Sequence, residues 1–186
     1  KRLFLDFGGV QGTATVFVNG QSVAKWRYGY LGFTAPLVPY VTTGRNEILV
    51  KADTNDWGSR WYPGAGIYRN VALRVTDDVR LEKTELFATT PAVSSERAML
   101  AVRGAAYSHR VAAAKGTVTA KLLDPKGAVV AEKSCEVAVP GCEFGRFEMS
   151  FDVPQPQLWE MRDPAPLYTL AVSLAGEGFA DRLEAK

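Results

Sequence analysis

The feature that most constrains the fold is an alternation of apolar and polar side chains with a period of two residues. Early in the chain one phase is Ala14, Val16, Val18 and the other is Thr13, Thr15, Phe17; later one phase is Ile48, Val50, Ala52 and the other is Glu47, Leu49, Lys51. Successive side chains of a β-strand point to opposite faces, so this period indicates strands. No segment carries a helical apolar stripe. The pattern recurs in the inward-facing sets Val118, Ala120, Leu122; Phe147, Met149, Phe151, Val153; and Tyr168, Leu170, Val172, Leu174. The sequence therefore predicts an all-β fold.

Turn signals separate the predicted strands. Asn19-Gly20 follows an alternating run and tolerates positive φ at both positions, which predicts a two-residue hairpin. Asp124-Pro125-Lys126-Gly127 carries the residues that a type I turn prefers at its first, second and fourth positions. Such signals recur about every ten residues, a spacing typical of small β-sandwiches.

A short acidic break at Thr76-Asp77-Asp78 interrupts the alternation and predicts a domain boundary. We expect one domain over residues 1–78 and a second over residues 79–186.

Arg69 lies in the apolar phase of the run that precedes this break, which contains Ile67, Val71, Leu73 and Val75. A buried guanidinium needs a carboxylate or carbonyl partner. We therefore expect Arg69 to be buried against such a partner, with Asp6 and Asp53 as candidates.

Composition excludes several classes of function. The 186 residues carry a net charge of +2, which gives no electrostatic reason to bind nucleic acid. No apolar run approaches the roughly 18 residues of a membrane helix, so we expect no membrane partner. Nucleotide-binding glycine loops and a Gly-x-Ser-x-Gly nucleophile elbow are absent from the sequence. Two cysteines and one histidine do not make a zinc site, and we place the histidine, His109, on an exposed loop. We therefore predict neither a metal nor a cofactor.

Cys135 and Cys142 leave two alternatives open. A hairpin with Pro140-Gly141 at its tip keeps the two sulfur atoms too far apart to bond. A tip at Ala138-Val139 places the cysteines opposite each other and permits a disulfide. Pro-Gly is the better turn sequence, which favours free thiols.

The segment from Asp53 to Val75 is unusual because a long loop, rich in aromatic and polar residues, separates two predicted strands. Loops of this length in compact domains are commonly functional or packed on themselves. The rings of Trp57, Trp61 and Tyr62 suit the apolar face of a sugar, and the same rings also suit the plug at the end of a sandwich.

This segment resembles a motif of glycoside hydrolase family 2, which includes β-galactosidases, β-glucuronidases and β-mannosidases. The resembling run, Ser59-Arg60-Trp61-Tyr62-Pro63-Gly64-Ala65-Gly66-Ile67-Tyr68-Arg69-Asn70-Val71, is similar to the end of the family's sugar-binding jelly-roll domain. Further similar blocks follow the family's order: Val16-Phe17-Val18-Asn19-Gly20, Gly29-Tyr30-Leu31-Gly32-Phe33, Gly44-Arg45-Asn46-Glu47-Ile48-Leu49-Val50, Pro156-Gln157-Leu158-Trp159 and Pro164-Ala165-Pro166-Leu167-Tyr168-Thr169-Leu170. The resemblance covers essentially the whole chain.

The resemblance implies a partial jelly-roll (galactose-binding-like) sandwich followed by an immunoglobulin-like β-sandwich. It also implies that further jelly-roll strands before Leu3 and a catalytic barrel after Lys186 belong to the same protein and are partners of this segment. In the family, two barrel glutamates perform retaining hydrolysis of terminal β-glycosidic bonds. We therefore expect no catalytic residue in this chain, whose glutamates we place on exposed strand faces (Glu47, Glu82, Glu148) or in a turn (Glu177).

The same resemblance suggests a substrate contact, because in some relatives the loop before the Gly-Ile-Tyr-Arg stretch reaches the sugar. By position the candidates are Asn55, Asp56, Arg60 and Trp61, and the alternative is a purely structural contact between domains. The implied parent enzyme is β-galactosidase-like, with a carbohydrate substrate. Two further readings stay open, a free-standing carbohydrate-binding module and a structural β-sandwich without ligand.

Overall fold

The computed structural model describes residues 1–54, 64–161 and 165–186 and confirms an all-β architecture. Within these residues the helical structure is one 3-10 turn, Lys83–Glu85. The chain forms two compact units, Lys1–Val75 and Thr76–Lys186, which we call unit 1 and unit 2. The domain boundary after Asp78 stays a prediction, three residues from the division between the units.

Unit 1 is the partial jelly roll and contains short strands in small sheets. Its strands are β1 (Arg2–Phe7), β2 (Val10–Gln11), β3 (Thr13–Val18), β4 (Gln21–Trp26), β5 (Phe33–Pro36), β6 (Ile48–Asp53), β7 (Gly66–Ile67) and β8 (Val71–Thr76). One sheet has the order β5-β1-β8, a second has the order β4-β3-β6, and β2 pairs with β7.

The predicted hairpin at Asn19-Gly20 is confirmed. Asn19 and Gly20 have φ of 49° and 80°, the left-handed conformation that a two-residue turn of this kind requires. They join β3 to β4, which pair antiparallel from Ala14 opposite Trp26 to Val18 opposite Gln21.

The core of unit 1 is small. Ala14 and Val16 of β3 are fully buried, and three rings stack beside them, Trp26 on Phe33 (centroids 5.9 Å apart) and Phe33 on Phe7 (4.7 Å). Offset stacking of this kind adds modestly to the apolar area that the rings bury.

The apolar phase of β8 and its approach is exposed in this chain. Ile67, Val71, Leu73 and Val75 have relative exposures of 50%, 41%, 61% and 53%. We call these four residues the apolar stripe. On the opposite phase Ala72 is exposed as well, whereas Arg74 packs over the Phe4 ring (4.7 Å) and Thr76 is buried. The alternation therefore identified the strand and its two faces correctly without indicating which face is covered.

The expectation of a buried Arg69 is wrong. Arg69 is exposed and points its Nη1 toward the carbonyl oxygens of Tyr30 (3.4 Å) and Gly8 (3.5 Å). Asp6 instead accepts two hydrogen bonds from Arg74, at 2.8 and 3.1 Å. The reason is that the phase of Arg69 faces outward, so its guanidinium keeps contact with water.

Unit 2 is the immunoglobulin-like sandwich and has longer strands. They are β9 (Val79–Leu81), β10 (Phe87–Val93), β11 (Arg97–Ser108), β12 (Ala114–Leu123), β13 (Val129–Val139), β14 (Phe144–Pro154), β15 (Thr169–Gly176) and β16 (Phe179–Ala185). One sheet has the order β10-β11-β14, with β9 also paired to β11, and the other has the order β13-β12-β15-β16.

The inward phases predicted for unit 2 are confirmed. Val118, Ala120 and Leu122 of β12 are buried, as are Leu170, Val172 and Leu174 of β15. From the other sheet come Phe147, Met149 and Val153, with Phe151 partly buried against the same core. The turn at Asp124 is also confirmed, because Gly127 donates to the Asp124 carbonyl at 2.9 Å and has φ of 87°.

The expectation of a hairpin between the two cysteines is wrong. β13 pairs with β12, whereas β14 pairs with β11, so the chain from Pro140 to Glu143 crosses from one sheet to the other. The crossing is tight, since a Cβ on Gly141 would lie 1.8 Å from the carbonyl oxygen of Val111. Cys135 and Cys142 are free thiols, as the better turn sequence had favoured.

Candidate functional site

The four predicted substrate contacts lie outside the described residues. Asn55, Asp56, Arg60 and Trp61 fall in the range 55–63, so their role stays a prediction. The structure does describe the two ends of the loop that carries them, Thr54 and Gly64.

Both ends of the loop lead into anchored backbone. On the leading side, Gly12 (φ 95°) approaches so closely that a Cβ there would lie 2.7 Å from the carbonyl oxygen of Asp53. On the returning side, Ile67 pairs with Val10, and Tyr68 donates its amide hydrogen to the Gly9 carbonyl at 3.3 Å. A single short element, Gly9 to Gly12, therefore holds both ends of the loop.

Three exposed tyrosines lie on the returning side and on the segment after β4. Tyr28 and Tyr30 meet edge to face with centroids 5.8 Å apart, and Tyr68 donates its hydroxyl hydrogen to the Gly29 carbonyl at 2.9 Å. The Arg69 guanidinium lies 5.2 Å from the centre of the Tyr68 ring. Sequence reasoning missed this cluster because about forty positions separate its two parts, although the Gly29-Tyr30-Leu31-Gly32 block was a usable signal.

Two carboxylates of unit 2, Glu82 and Asp152, are paired with arginines. The prediction that Glu82 lies on an exposed strand face is wrong. Glu82 is half buried against Arg80, whose Nη1 lies 2.6 Å from Oε2 of Glu82. Burial raises the pKa of Glu82, but the hydrogen bond and charge of Arg80, aided by Thr84, bring it below its ordinary value. Arg97 likewise lowers the pKa of Asp152. Both groups are ionised at neutral pH, whereas a general acid needs a raised pKa.

Other reactive groups have structural surroundings. His109 is half buried rather than exposed, with its ring edge to face against Tyr107 at 4.8 Å. Burial, with a smaller contribution from Glu136, raises the pKa of the Cys135 thiol, which opposes a role as a nucleophile. Across residues 1–54, 64–161 and 165–186, no group of three or more His, Cys, Asp and Glu side chains could hold a metal ion.

In the described part of the chain, no helix is long and apolar enough to span a bilayer.

A groove of about 460 Å³ lies on unit 2 at the Gly104–Phe147 pair of the sheet β10-β11-β14. Three of its four charged side chains have partners, since Arg146 contacts Glu85 at 2.8 Å and Arg103 lies 4.9 Å from the Phe87 ring centre. The groove is therefore a solvated surface of mixed charge, and its geometry assigns it no reaction.

The fold defines a class of protein before any relative is considered. The described residues form two consecutive all-β units, and the second, a β-sandwich of two four-stranded sheets, has a closed core.

Comparison with known proteins identifies the family. The profile of the family described as glycosyl hydrolases family 2 matches residues 79–186, and the chain belongs to this family. A solved structure of a glycosyl hydrolase family 2 member from Bacteroides cellulosilyticus superposes with a TM-score of 0.90 at 28% identity. That match covers 99% of this chain and 26% of the other.

Curated relatives extend the similarity over both units. The β-galactosidase BoGH2A of Bacteroides ovatus is 35% identical over 173 residues, which are 91% of this chain and 20% of that protein. A β-glucuronidase of Bacteroides fragilis is 28% identical over 192 residues, covering 96% of this chain and 27% of the relative. The chain thus spans about a fifth to a quarter of the length of these relatives.

Proposed function

We propose that this chain is the non-catalytic accessory segment of a family 2 glycoside hydrolase that cleaves terminal β-glycosidic bonds and is β-galactosidase-like. The observation that carries the proposal is the family match over residues 79–186. The similarity to a β-galactosidase across 91% of the chain supports the choice of sugar. The chemistry itself is assigned to two glutamates on a barrel elsewhere in the same protein.

The absence of a catalytic pair from this chain is part of the proposal. A retaining glycosidase needs two carboxyl groups about 5–5.5 Å apart, one of them with a raised pKa. Glu82 and Asp152 instead pair with arginines that lower their pKa. Glu47, Glu148 and Glu177 are exposed to solvent, which suits a role in solubility.

The substrate contact is proposed for the loop before Gly64, through Asn55, Asp56, Arg60 and Trp61. Support comes from the anchored ends of the loop, since rigid flanks hold a binding loop in place with little loss of entropy. An indole face and flanking polar groups also match the two faces of a sugar ring. These side chains would form one lip of the sugar site, whose remainder belongs to the barrel.

The partners proposed for the chain are the carbohydrate substrate, the barrel and further jelly-roll strands of the same protein. The apolar stripe supports the last of these. Four apolar side chains that are at least 41% exposed along one strand face are unusual on a finished surface. Additional strands of the same domain would cover them.

The test is hydrolysis of nitrophenyl β-galactoside, β-glucuronide and β-mannoside by the full-length protein and by residues 1–186 alone. We expect activity in the full-length protein, highest on the galactoside, and none in the segment. Activity in the segment would overturn the assignment of catalysis to a barrel. A preference for the glucuronide would overturn the choice of sugar while leaving the family assignment intact.

The loop residues are tested in the full-length protein with Trp61→Ala and Asp56→Asn. We expect kcat/KM to fall roughly tenfold or more in each variant. A tenfold fall corresponds to the loss of about 1.4 kcal/mol of binding to the transition state, the size expected for one sugar contact. Trp159→Ala, which removes an exposed tryptophan of unit 2, is the matched control and should retain activity. Loop variants as active as this control would leave the loop with a structural role only.

A further inference from the structure

We infer that Tyr28, Tyr30 and Tyr68, which we call the tyrosine platform, form a second saccharide contact that holds sugar units beyond the one being cleaved. The inference rests on the proposed function, because it adds a subsite to the same sugar-binding region. It involves none of the loop residues 55–63.

The platform is built to be rigid. Gly29 is buried between the first two tyrosines, and a Cβ there would lie 2.5 Å from Oε1 of Gln11, a side chain only 8% exposed. The Tyr68 hydroxyl is fixed by its hydrogen bond to the Gly29 carbonyl at 2.9 Å. A Cβ on Gly9 would lie 2.8 Å from the Tyr68 ring, so the backbone packs directly against that ring.

The three rings lie outside the buried core of unit 1. Tyr28, Tyr30 and Tyr68 are 50%, 45% and 48% exposed, and none of them belongs to the buried cluster around Val16. Ordering an exposed aromatic side chain costs conformational entropy. A ring that is already ordered in the free protein loses less entropy when a ligand stacks on it.

The chemistry of the platform fits a saccharide. A pyranose has an apolar C–H face and a rim of hydroxyl groups, and tyrosine likewise has an apolar ring with a polar tip. The rings of Tyr28 and Tyr30 meet at 62°, which presents two differently oriented faces. The guanidinium of Arg69, stacked at 5.2 Å from the Tyr68 ring centre, supplies donors for hydroxyl oxygens at the edge.

The location points to the same ligand that the loop would bind. Tyr68 directly follows β7, the strand through which the loop returns from residue 63 to the sheet. The platform therefore adjoins the described end of the segment that carries the proposed sugar contacts.

The test compares two substrates of the full-length protein that share their terminal sugar, a nitrophenyl monoglycoside and a β-linked tetrasaccharide. In the double variant Tyr28→Ala/Tyr30→Ala we expect KM for the tetrasaccharide to rise roughly tenfold, with kcat and the monoglycoside reaction within twofold of wild type. The matched double variant Tyr28→Phe/Tyr30→Phe keeps the ring faces and should lose little. Phe87→Ala removes a similarly exposed ring from unit 2 and should change neither substrate.

Equal losses on both substrates, accompanied by a lower melting temperature, would show a structural contact and overturn the inference. Unchanged KM for the tetrasaccharide would overturn it as well. Should the wild-type protein hydrolyse no glycoside, the proposed function fails, and the platform is then judged by saturation-transfer NMR with the tetrasaccharide. Signal that survives the Phe substitutions and vanishes with the Ala substitutions supports the platform, and no signal in wild type overturns it.

Discussion

The two units use the same sequence pattern and reach different degrees of closure. In unit 2, alternating apolar residues from two four-stranded sheets meet in one core. Leu122, Met149 and Leu174 of this core are 7%, 5% and 1% exposed. In unit 1, the equally regular phase of Leu73 is 61% exposed. A two-residue period therefore defines a strand and its apolar face, whereas burial depends on a second layer that the strand itself cannot supply.

The largest expected effect follows from separating the units. Residues 76–186 expressed alone should unfold cooperatively in urea, because their core is closed by side chains from both sheets. Residues 1–75 alone should show no cooperative transition, because small three-stranded sheets with an open apolar face bury too little area. A soluble, cooperatively melting unit 1 would remove the contrast between the two units.

Two leucine truncations make the same comparison within one chain. Leu174→Ala in the closed core should lower the free energy of unfolding by about 3 kcal/mol, through lost burial and a residual cavity. Leu73→Ala should lower it by less than about 0.5 kcal/mol, because that side chain already contacts water.

The length of the protein sharpens this pair of variants. In the full-length protein we expect the loss from Leu73→Ala to grow to the size expected of a buried leucine, because further jelly-roll strands would cover it. Urea denaturation of both variants in both lengths measures the difference. A Leu73→Ala effect that is small in both would argue that nothing covers the apolar stripe.

Two arginine–aspartate pairs with similar geometry test burial of charge. Arg74 and Asp6 are about 15% exposed and 2.8 Å apart, so Arg74→Met should cost about 2–4 kcal/mol, because a largely buried carboxylate loses its positively charged partner. Arg97 and Asp152 are 2.6 Å apart but largely exposed, so Arg97→Met should lower the unfolding free energy only slightly. Similar losses in the two variants would mean that exposure does not decide the strength of these pairs.

The sequence contains most of the fold because strands, turns and faces are local signals. Asn19-Gly20 and Asp124 predicted their turns correctly, and the inward phases of unit 2 were correct throughout. Arg69 was misplaced because the covering of a face is not local. The crossing at Pro140-Gly141 was mistaken for a hairpin because a tight turn and a passage between two sheets use the same residues.

The candidate site divides in the same way. The loop that contains Trp61 was recognisable because its aromatic and polar residues are contiguous in sequence. The tyrosine platform was not, since Tyr28 and Tyr68 come together only through the pairing of β2 with β7 and the hydrogen bond to Gly29. Contacts between distant segments depend on register, which no single segment encodes.

The smallest expected effect concerns the pH dependence of two carboxylates, Glu82 and Asp152. The ordinary pKa is 4.5 for a glutamate and 3.8 for an aspartate, and each of these two groups has a pKa below its ordinary value. Each therefore contributes stability that is complete above the unfolded pKa and is lost as pH falls through the lower, folded pKa. Removing the arginine partner should shift the two pKa values by different amounts, because burial opposes the charge of Glu82 far more than that of Asp152.

In Arg80→Met, burial then dominates, and the pKa of Glu82 should rise above 4.5, so that this carboxylate destabilises the fold as pH increases through that range. In Arg97→Met, the pKa of Asp152 should return to about its ordinary value, because desolvation, which raises it, slightly outweighs the charge of Lys133, which lowers it. Carbon-13 NMR titration of the two carboxyl groups measures both shifts. If the pKa of Glu82 stayed below its ordinary value of 4.5 in Arg80→Met, then Thr84, rather than Arg80, would hold Glu82 ionised.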